Sequence, residues 1–138
     1  MNHLIGKFAE YQLATDIRTR KRFSLSVYFS GVKYRKTLNI IDVRMRVQFQ
    51  RADGKQLEID IKAESDCNRV VLIEVKRWNK KVGVQVIRDF LEKIDAYIRL
   101  SKKKKIIPAF LSVGGFSAQA KKLCREKHIG VAETISYL

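Results

Sequence analysis

The chain has 138 residues, enough to bury the core of one domain and too few for two. Its 29 Lys and Arg residues outnumber 14 Asp and Glu residues and give a formal net charge of +15, while 46% hydrophobic residues exclude a basic disordered tail. The expected partner is a polyanion, and nucleic acid fits better than a membrane surface, because no stretch approaches ~20 apolar residues and no signal peptide or lipidation motif is visible.

The first predicted element is a helix from Leu4 to about Thr19. Its apolar positions are Ile5, Phe8, Ala9, Leu13 and Ile17. At roughly 100° per residue, Glu10 lies on nearly the same side of this helix as Ile17, so it faces the core. A buried carboxylate there needs a partner, although the geometry alone equally allows a side chain that reaches solvent at the edge of the stripe.

The next segments predict the first part of a sheet. Phe23 to Phe29 alternates enough for a strand, and residues 31–39 are basic and fit a loop or an edge hairpin. From Val43 onward the alternation is strict, and a hairpin turn follows at residues 52–55. The apolar face has Val43, Met45, Val47 and Phe49, and the polar face has Arg44, Arg46, Gln48 and Gln50. Arg and Gln can make bidentate contacts to guanine and adenine edges, but a solvated sheet face is the favoured interpretation of the pattern.

Two adjacent strands then bring charged residues together. Leu57 to Lys62 alternates with a period of two, so Asp60 points away from the apolar face. Val70 to Ile73 is a continuous apolar run, as expected for a central strand covered on both sides. At its end Glu74 and Lys76 project to one face, with their Cα atoms about 6.5 Å apart.

These residue types fit phosphodiester hydrolysis, which needs an activated water and stabilisation of negative charge on phosphorus. Carboxylates that hold Mg²⁺ supply both, so Asp60 and Glu74 are candidate ligands, with the carbonyl of Val75 as a third. Lys76 would orient the water or neutralise the developing charge. A surface Glu-Lys pair at the end of a strand is the alternative interpretation of the last two residues.

The C-terminal half predicts a loop and three further elements. The basic loop Arg77-Trp78-Asn79-Lys80-Lys81 carries an aromatic that would stack on a base or pack over the sheet edge. A helix from Val84 to Leu100 follows, with Gln85 in its first turn as a possible accessory residue. The remaining elements are a strand at Ile106–Val113 despite Pro108, a helix at Ala118–Lys127 with Ser117 as N-cap, and a short strand at Ile129–Glu133. This order predicts an α/β domain with a mixed central sheet and a site where strand ends diverge.

The pattern of Asp60 followed by Glu74-Val75-Lys76 resembles the PD-(D/E)xK nuclease superfamily. The runs IEVKRWNKKVGVQVIRDF and IIPAFLSVGGFSAQAKKLCREKHIGV are similar to Mrr-type restriction endonucleases and archaeal Holliday junction resolvases. The proline of the superfamily name is absent before Asp60, and residues 23–41 resemble nothing in it. The resemblance implies a restriction-endonuclease-like core with a mixed central β-sheet flanked by helices, DNA as substrate, and Mg²⁺ with Mn²⁺ able to substitute. GKFAEYQLA resembles the segment that carries a helix-borne glutamate near the metal, which favours Glu10 as a site residue.

The sequence therefore predicts a Mg²⁺-dependent DNA endonuclease, with a junction resolvase and a non-catalytic DNA-binding protein as alternatives. Cutting two strands with one small domain most simply uses a homodimer. Cys67 and Cys124 are too few for a thiolate metal site, and a reducing compartment would keep them as thiols. We expect a soluble, cytoplasmic protein with residues 1–138 as one domain and no membrane partner.

Overall fold

The structure is a computed structural model that describes residues 2–102 and 104–134, with side chains from residue 8 onward. No helix in these ranges is both long and apolar enough to cross a membrane. The helices are α1 (Asn2–Arg20), α2 (Val84–Leu100) and α3 (Ala118–Glu126), with a short 3-10 helix at Leu25–Val27. The strands are β1 (Arg22–Ser24), β2 (Thr37–Gln50), β3 (Gln56–Ser65), β4 (Arg69–Lys76), β5 (Lys105–Ser112) and β6 (Gly130–Ala132).

The six strands form one mixed sheet, which confirms the predicted sheet type, and the structure adds that their order in the sheet follows the sequence. Strands β1 to β4 pair antiparallel, whereas β4 with β5 and β5 with β6 pair parallel. The two parallel pairs are joined by crossovers that contain α2 and α3, the usual way to connect parallel strands. The architecture is therefore an α/β fold of the restriction-endonuclease type.

Helices cover both faces of the sheet and create two cores. Leu13 and Ile17 of α1 pack with Ile73 of β4 on one face. Ile87 and Phe90 of α2 pack on the other face, together with residues of α3. Because β4 alternates between these cores, its side chains are buried on both sides, which confirms the prediction from its continuous apolar run.

The helical predictions agree with the structure, with one exception in α1. The bounds of α2 are as predicted, Ser117 caps α3 by accepting a hydrogen bond from the Ala120 amide at 3.1 Å, and Glu10 faces the core. Phe8 is exposed, so the prediction that it belongs to the apolar stripe is wrong. It precedes Ile17 by nine residues, which at roughly 100° per residue puts it half a turn away. The side chain of Ile5 lies outside the described residues.

The predicted strand from Phe23 to Phe29 is wrong beyond Ser24. The Ser24 hydroxyl accepts a hydrogen bond from the Ser26 amide and so begins a 3-10 turn, which buries Leu25 completely. Strand β2 also begins six residues before Val43, at Thr37, because its first residues pair with β1. The ambiguous segment is therefore a loop over residues 31–36 that leads into an edge hairpin.

Strand β2 alternates in burial as predicted, but its apolar residues do not share one core. Met45 packs against the α1 side of the sheet and Phe49 against the α2 side. Between them Arg46 has a positive φ of 55°, which is uncommon for a non-glycine residue and interrupts regular strand geometry. The apolar side chains of β2 therefore contact the α1 core before Arg46 and the α2 core after it.

Strands β3 and β4 separate at their functional ends, as the sequence predicts. Their register runs from Glu64 opposite Val70 to Ile61 opposite Ile73 and stops there. Beyond that point β3 remains paired with β2, and β4 remains paired with β5 as far as Lys76. The gap between the two strands begins at Asp60 and Glu74.

Close packing at β6 generates a stability prediction. A Cβ atom at Gly130 would lie 2.5 Å from Val32 Cγ1 and 2.9 Å from Phe29 Cβ, closer than real Cβ contacts. We expect Gly130→Ala to lower the free energy of unfolding by about 2–3 kcal/mol, the upper range for overpacking. Gly83→Ala is the control, because a Cβ there meets nothing within 4 Å and only the N-cap preference is lost, at about 1 kcal/mol or less. Urea titration of both variants measures the difference, and equal losses would contradict the packing argument.

Candidate active site

At the start of the gap between β3 and β4, a hydrogen bond to the Asp60 side chain replaces the backbone ladder. The amide of Val75 donates a hydrogen bond of 2.7 Å to Asp60 Oδ2. Continuing the register beyond Ile61 and Ile73 puts Asp60 opposite Glu74, so the two carboxylates share one face of the sheet. Burial raises the pKa of Asp60, an effect opposed by the Val75 hydrogen bond and by Lys93 and Lys76.

Glu74 is a buried carboxylate with cations on one oxygen only. Lys93 Nζ donates to Oε2 at 2.8 Å, and Lys76 Nζ lies 3.9 Å from the same atom. The other oxygen, Oε1, is buried without a hydrogen-bond partner among the described residues. Burial raises the pKa of Glu74, and the charge of Asp60 raises it further, whereas Lys93 and Lys76 oppose the rise.

Glu10 extends this acidic group from the helix on the opposite side. Its side chain is 5% exposed, Arg46 Nε lies 3.5 Å from its Oε1, and that oxygen has no hydrogen-bond partner within the described chain. Burial and then the negative charge of Asp60 raise the pKa of Glu10, while Arg46 and Arg77 lower it. Because the charge of Asp60 acts on it, Glu10 lies near that one of the two strand carboxylates.

The donor chemistry of this site fits a divalent cation. Asp60 and Glu74 supply carboxylate oxygens from neighbouring strands, and the free buried oxygen of Glu74 is an orphan that a cation would satisfy. Magnesium is usually held by one or two carboxylates and several waters, so a pair of acidic side chains suffices. Within residues 8–102 and 104–134 no three His, Cys, Asp or Glu side chains converge closely enough to hold a metal by themselves.

A cleft of about 440 Å³ opens beside these residues, and Glu74 and Lys76 contribute to its lining. Trp78 also lines it and is exposed, with Lys76 Nζ 5.2 Å and Lys80 Nζ 4.8 Å from the centre of its ring. Gln85 is not among the residues that line the cleft. It donates a hydrogen bond of 3.0 Å to Oδ1 of Asp89, which is one of the lining residues. Two ammonium groups thus lie about 5 Å from the Trp78 ring, which lines the cleft.

The proposed nucleic-acid residues fall into two exposed groups. Arg77, Trp78, Lys80 and Lys81 form the exposed loop beyond β4, and Arg44, Arg46, Gln48 and Gln50 lie along β2. Several members of the second group already have protein partners, since Arg44 Nε donates to Asp42 Oδ2 at 3.0 Å and Gln48 donates to Glu58 Oε2 at 3.5 Å. The loop is therefore the freer of the two surfaces.

Sequence reasoning missed Lys93, the closest cation to Glu74. Lys93 follows Phe90 by three residues and precedes Tyr97 by four, so it lies on the buried side of α2. A lysine in that stripe needs an anionic partner, the same argument that identified Glu10. The signal that could have found Lys93 is therefore its place in the buried stripe of α2.

The Lys93–Glu74 contact predicts a loss of stability in a lysine variant. Lys93→Met leaves the Glu74 carboxylate buried beside Asp60 with its nearest cation removed, and we expect about 2–3 kcal/mol less unfolding free energy. Lys121→Met is the control, because Lys121 pairs with Glu133 at 3.7 Å on the surface and should change stability by under ~0.5 kcal/mol. Adding Glu74→Gln to Lys93→Met should restore part of the loss in a double-mutant cycle. Additive losses would contradict the pairing.

The raised pKa of Glu10 predicts a pH-dependent stability difference. Between the ordinary pKa near 4.5 and the raised one, folded protein keeps a proton that unfolded protein releases, so the unfolding free energy falls as pH rises. Unfolding free energies of wild type and Glu10→Gln, measured by urea titration with EDTA from pH 4 to 8, should show wild type losing stability relative to the variant as pH increases. Parallel curves would remove Glu10 from the coupled acidic group.

Comparisons with known proteins identify the family and the fold of this chain. Residues 32–133 match the restriction endonuclease family Mrr_cat, a range that contains Asp60, Glu74 and Lys76 but not Glu10. A search of curated proteins gives no match.

Solved structures share the fold at low sequence identity. Can2 from Sulfobacillus thermosulfidooxidans, in complex with cyclic tetra-adenylate, is 20% identical with a TM-score of 0.63 over 95% of this chain and 33% of its own. A protein of unknown function, AF1548, is 16% identical with a TM-score of 0.57 over 95% of this chain and 57% of its own. The chain thus spans a third to somewhat over half of these neighbours. The family match shows that the chain belongs to the Mrr-type restriction endonuclease family, whose nuclease domains generally use divalent metals.

Proposed function

We propose that this protein is a Mg²⁺-dependent DNA endonuclease that hydrolyses phosphodiester bonds at the gap between β3 and β4. The observation that carries the proposal is the convergence of Asp60, Glu74 and Lys76 where the two strands separate. Asp60 and Glu74 are the proposed metal ligands, together with the carbonyl of Val75, and Glu10 is the proposed additional carboxylate.

The chain's own residues have separate roles in this mechanism. A divalent cation, when bound, supplies positive charge that stabilises the transition state and activates the attacking water. The Val75 amide orients Asp60, and Lys93 holds one oxygen of Glu74 so that the other faces the site. Lys76, with a partly exposed ammonium 3.9 Å from Glu74, is the residue that can donate to the water or to a phosphate oxygen.

DNA is the proposed substrate because the cations surround the cleft. The net charge of +15 favours a polyanion, and the exposed loop of Arg77, Lys80 and Lys81 lies next to the proposed catalytic lysine. Trp78 offers an exposed ring for stacking on a base or packing against the sugar-phosphate backbone. Arg46 is a weaker candidate for base recognition than the sequence suggested, because it lies against Glu10.

Two related functions remain alternatives in the test. A junction resolvase would use the same chemistry but select branched DNA, and a homodimer would bring two such sites to opposite strands. A non-catalytic DNA-binding protein would bind without cutting. Incubation with linear, supercoiled, single-stranded and four-way-junction DNA, with and without Mg²⁺, separates the three by which DNA is cut.

The catalytic assignment predicts different mutational effects for Lys76 and Lys80, the two lysines that lie near the Trp78 ring. Lys76→Ala should reduce cleavage by about 10²–10³-fold, the usual cost of removing an electrostatic group at the reacting centre, while affinity for DNA changes only a few-fold. Lys80→Ala is the matched control, since its ammonium also lies about 5 Å from the Trp78 ring but away from Glu74. It should change affinity and leave the rate on bound DNA near that of wild type.

Glu74→Ala should abolish cleavage at any Mg²⁺ concentration and preserve DNA binding, because affinity comes from the many other cations. Rates are measured at saturating protein and affinities in EDTA, so that the two effects separate. Cleavage that survives both Lys76→Ala and Glu74→Ala would contradict the assignment of this site.

A further inference from the structure

A second pocket lies at the other end of the parallel strands. It has a volume of about 540 Å³ and is lined by the side chains of Lys33, Arg69, Lys105, Lys127 and His128, together with Tyr34. These residues come from the loop before β2, the starts of β4 and β5, and the end of α3. Four distant segments of sequence thus contribute one cation each, and the end of α3 adds a histidine.

The parallel register explains why these cations converge. Arg69 and Lys105 are the first residues of β4 and β5 and lie directly opposite each other. His128, with a φ of 57°, ends the α3 segment in the left-handed conformation and turns the chain into the neighbouring strand β6. The apolar wall of the pocket includes Ile107 and Pro108, which can pack the methylene stems of the lysines.

The charge of this pocket is not balanced by the protein. None of its lining residues is acidic, and Lys33, Arg69, Lys105 and Lys127 form no ion pair with a carboxylate in the part of the chain that the structure describes. The cleft beside Glu74 differs, because there Lys55, Lys76 and Lys93 face four acidic side chains. Like charges brought together in this way repel one another, so the pocket gains stability from a bound anion.

Arg69 is held in position before any ligand arrives. Its guanidinium lies over the Tyr34 ring at 3.9 Å from the centroid, and Nη1 lies 3.6 Å from Cys67 Sγ. A stacked guanidinium loses less conformational freedom when it binds a phosphate than a free side chain does. The pocket therefore has one cation held by its neighbours, and Lys33, Lys105 and Lys127 supply exposed cations around it.

We propose that this pocket binds backbone phosphates of a DNA segment other than the one being cut. Arg69 and Lys76 are the two ends of β4, so the pocket is about 23 Å from the proposed catalytic lysine at roughly 3.3 Å per residue. At 3.4 Å per base pair this distance corresponds to about seven base pairs of duplex, so flanking DNA is long enough to reach it. The choice of DNA as the ligand rests on the proposed function, whereas the pocket itself is defined by the residues that line it.

The test compares two variants that carry the same change in net charge. The pocket variant combines Lys33→Gln, Lys105→Gln and Lys127→Gln, and the control combines Arg88→Gln, Arg99→Gln and Lys122→Gln. All six positions are exposed, so each substitution should change stability by less than ~0.5 kcal/mol. Affinity for a 24-base-pair duplex is measured by fluorescence anisotropy in EDTA over a series of KCl concentrations. Lys105→Gln alone serves if the triple variant does not fold.

We expect the pocket variant to flatten the log–log salt dependence by about 2–3, close to 0.9 per lost phosphate contact, and the control by less than 1. Equal slopes for the two variants would overturn the proposal. Binding of inorganic pyrophosphate, measured by calorimetry, is the second readout. If the pocket variant loses pyrophosphate binding but keeps the control's slope with DNA, a small phosphate ligand replaces DNA as the occupant and the proposal is wrong.

Cleavage distinguishes this outcome from failure of the proposed function. The pocket variant should cut bound DNA at the wild-type rate in Mg²⁺, because the pocket is remote from the scissile bond. Wild type that binds DNA with the expected salt slope but does not cut it contradicts the proposed function and leaves the pocket assignment standing.

Discussion

The structure depends on the separation of β3 and β4 after one point in their register. Up to Ile61 and Ile73 the strands share a ladder, and two residues beyond Ile73 the backbone amide of Val75 donates instead to the side chain of Asp60. A buried amide without a partner is costly, so this hydrogen bond is what allows the strands to part. Glu74 and Lys76 line the cleft beside this opening.

The cost of the opening is a group of carboxylates in a buried environment. Burial raises the pKa values of Glu10, Asp60 and Glu74, and two of these residues carry an oxygen without a hydrogen-bond partner among the described residues. Lys93, Lys76 and Arg46 offset part of this charge. Buried carboxylate oxygens that no hydrogen-bond donor satisfies favour a further cation, and domains that use divalent metals hold them on carboxylates of this kind.

The two ends of β4 have opposite electrostatic character. At its C-terminal end lysines face acidic residues across the cleft, and at its N-terminal end Arg69 and Lys105 face none. A metal-dependent reaction needs the first arrangement, whereas binding of a polyanion needs only the second. The cations at the N-terminal end of β4 are thus one unbalanced group that lies apart from Asp60 and Glu74, where it would not compete with a cation for these carboxylates.

The sequence by itself determined the order of most elements, the buried central strand, and the convergence of Asp60, Glu74 and Lys76, because strand periodicity assigns side chains to faces. It also placed Glu10 on the core side of α1 by helical geometry. Only the tertiary structure decided that Arg46 would lie against Glu10, that Met45 and Phe49 would enter different cores, and that Lys93 would neutralise Glu74. These contacts join segments far apart in the chain, and their geometry is set by the twist of the sheet and the position of α2, which local patterns do not encode.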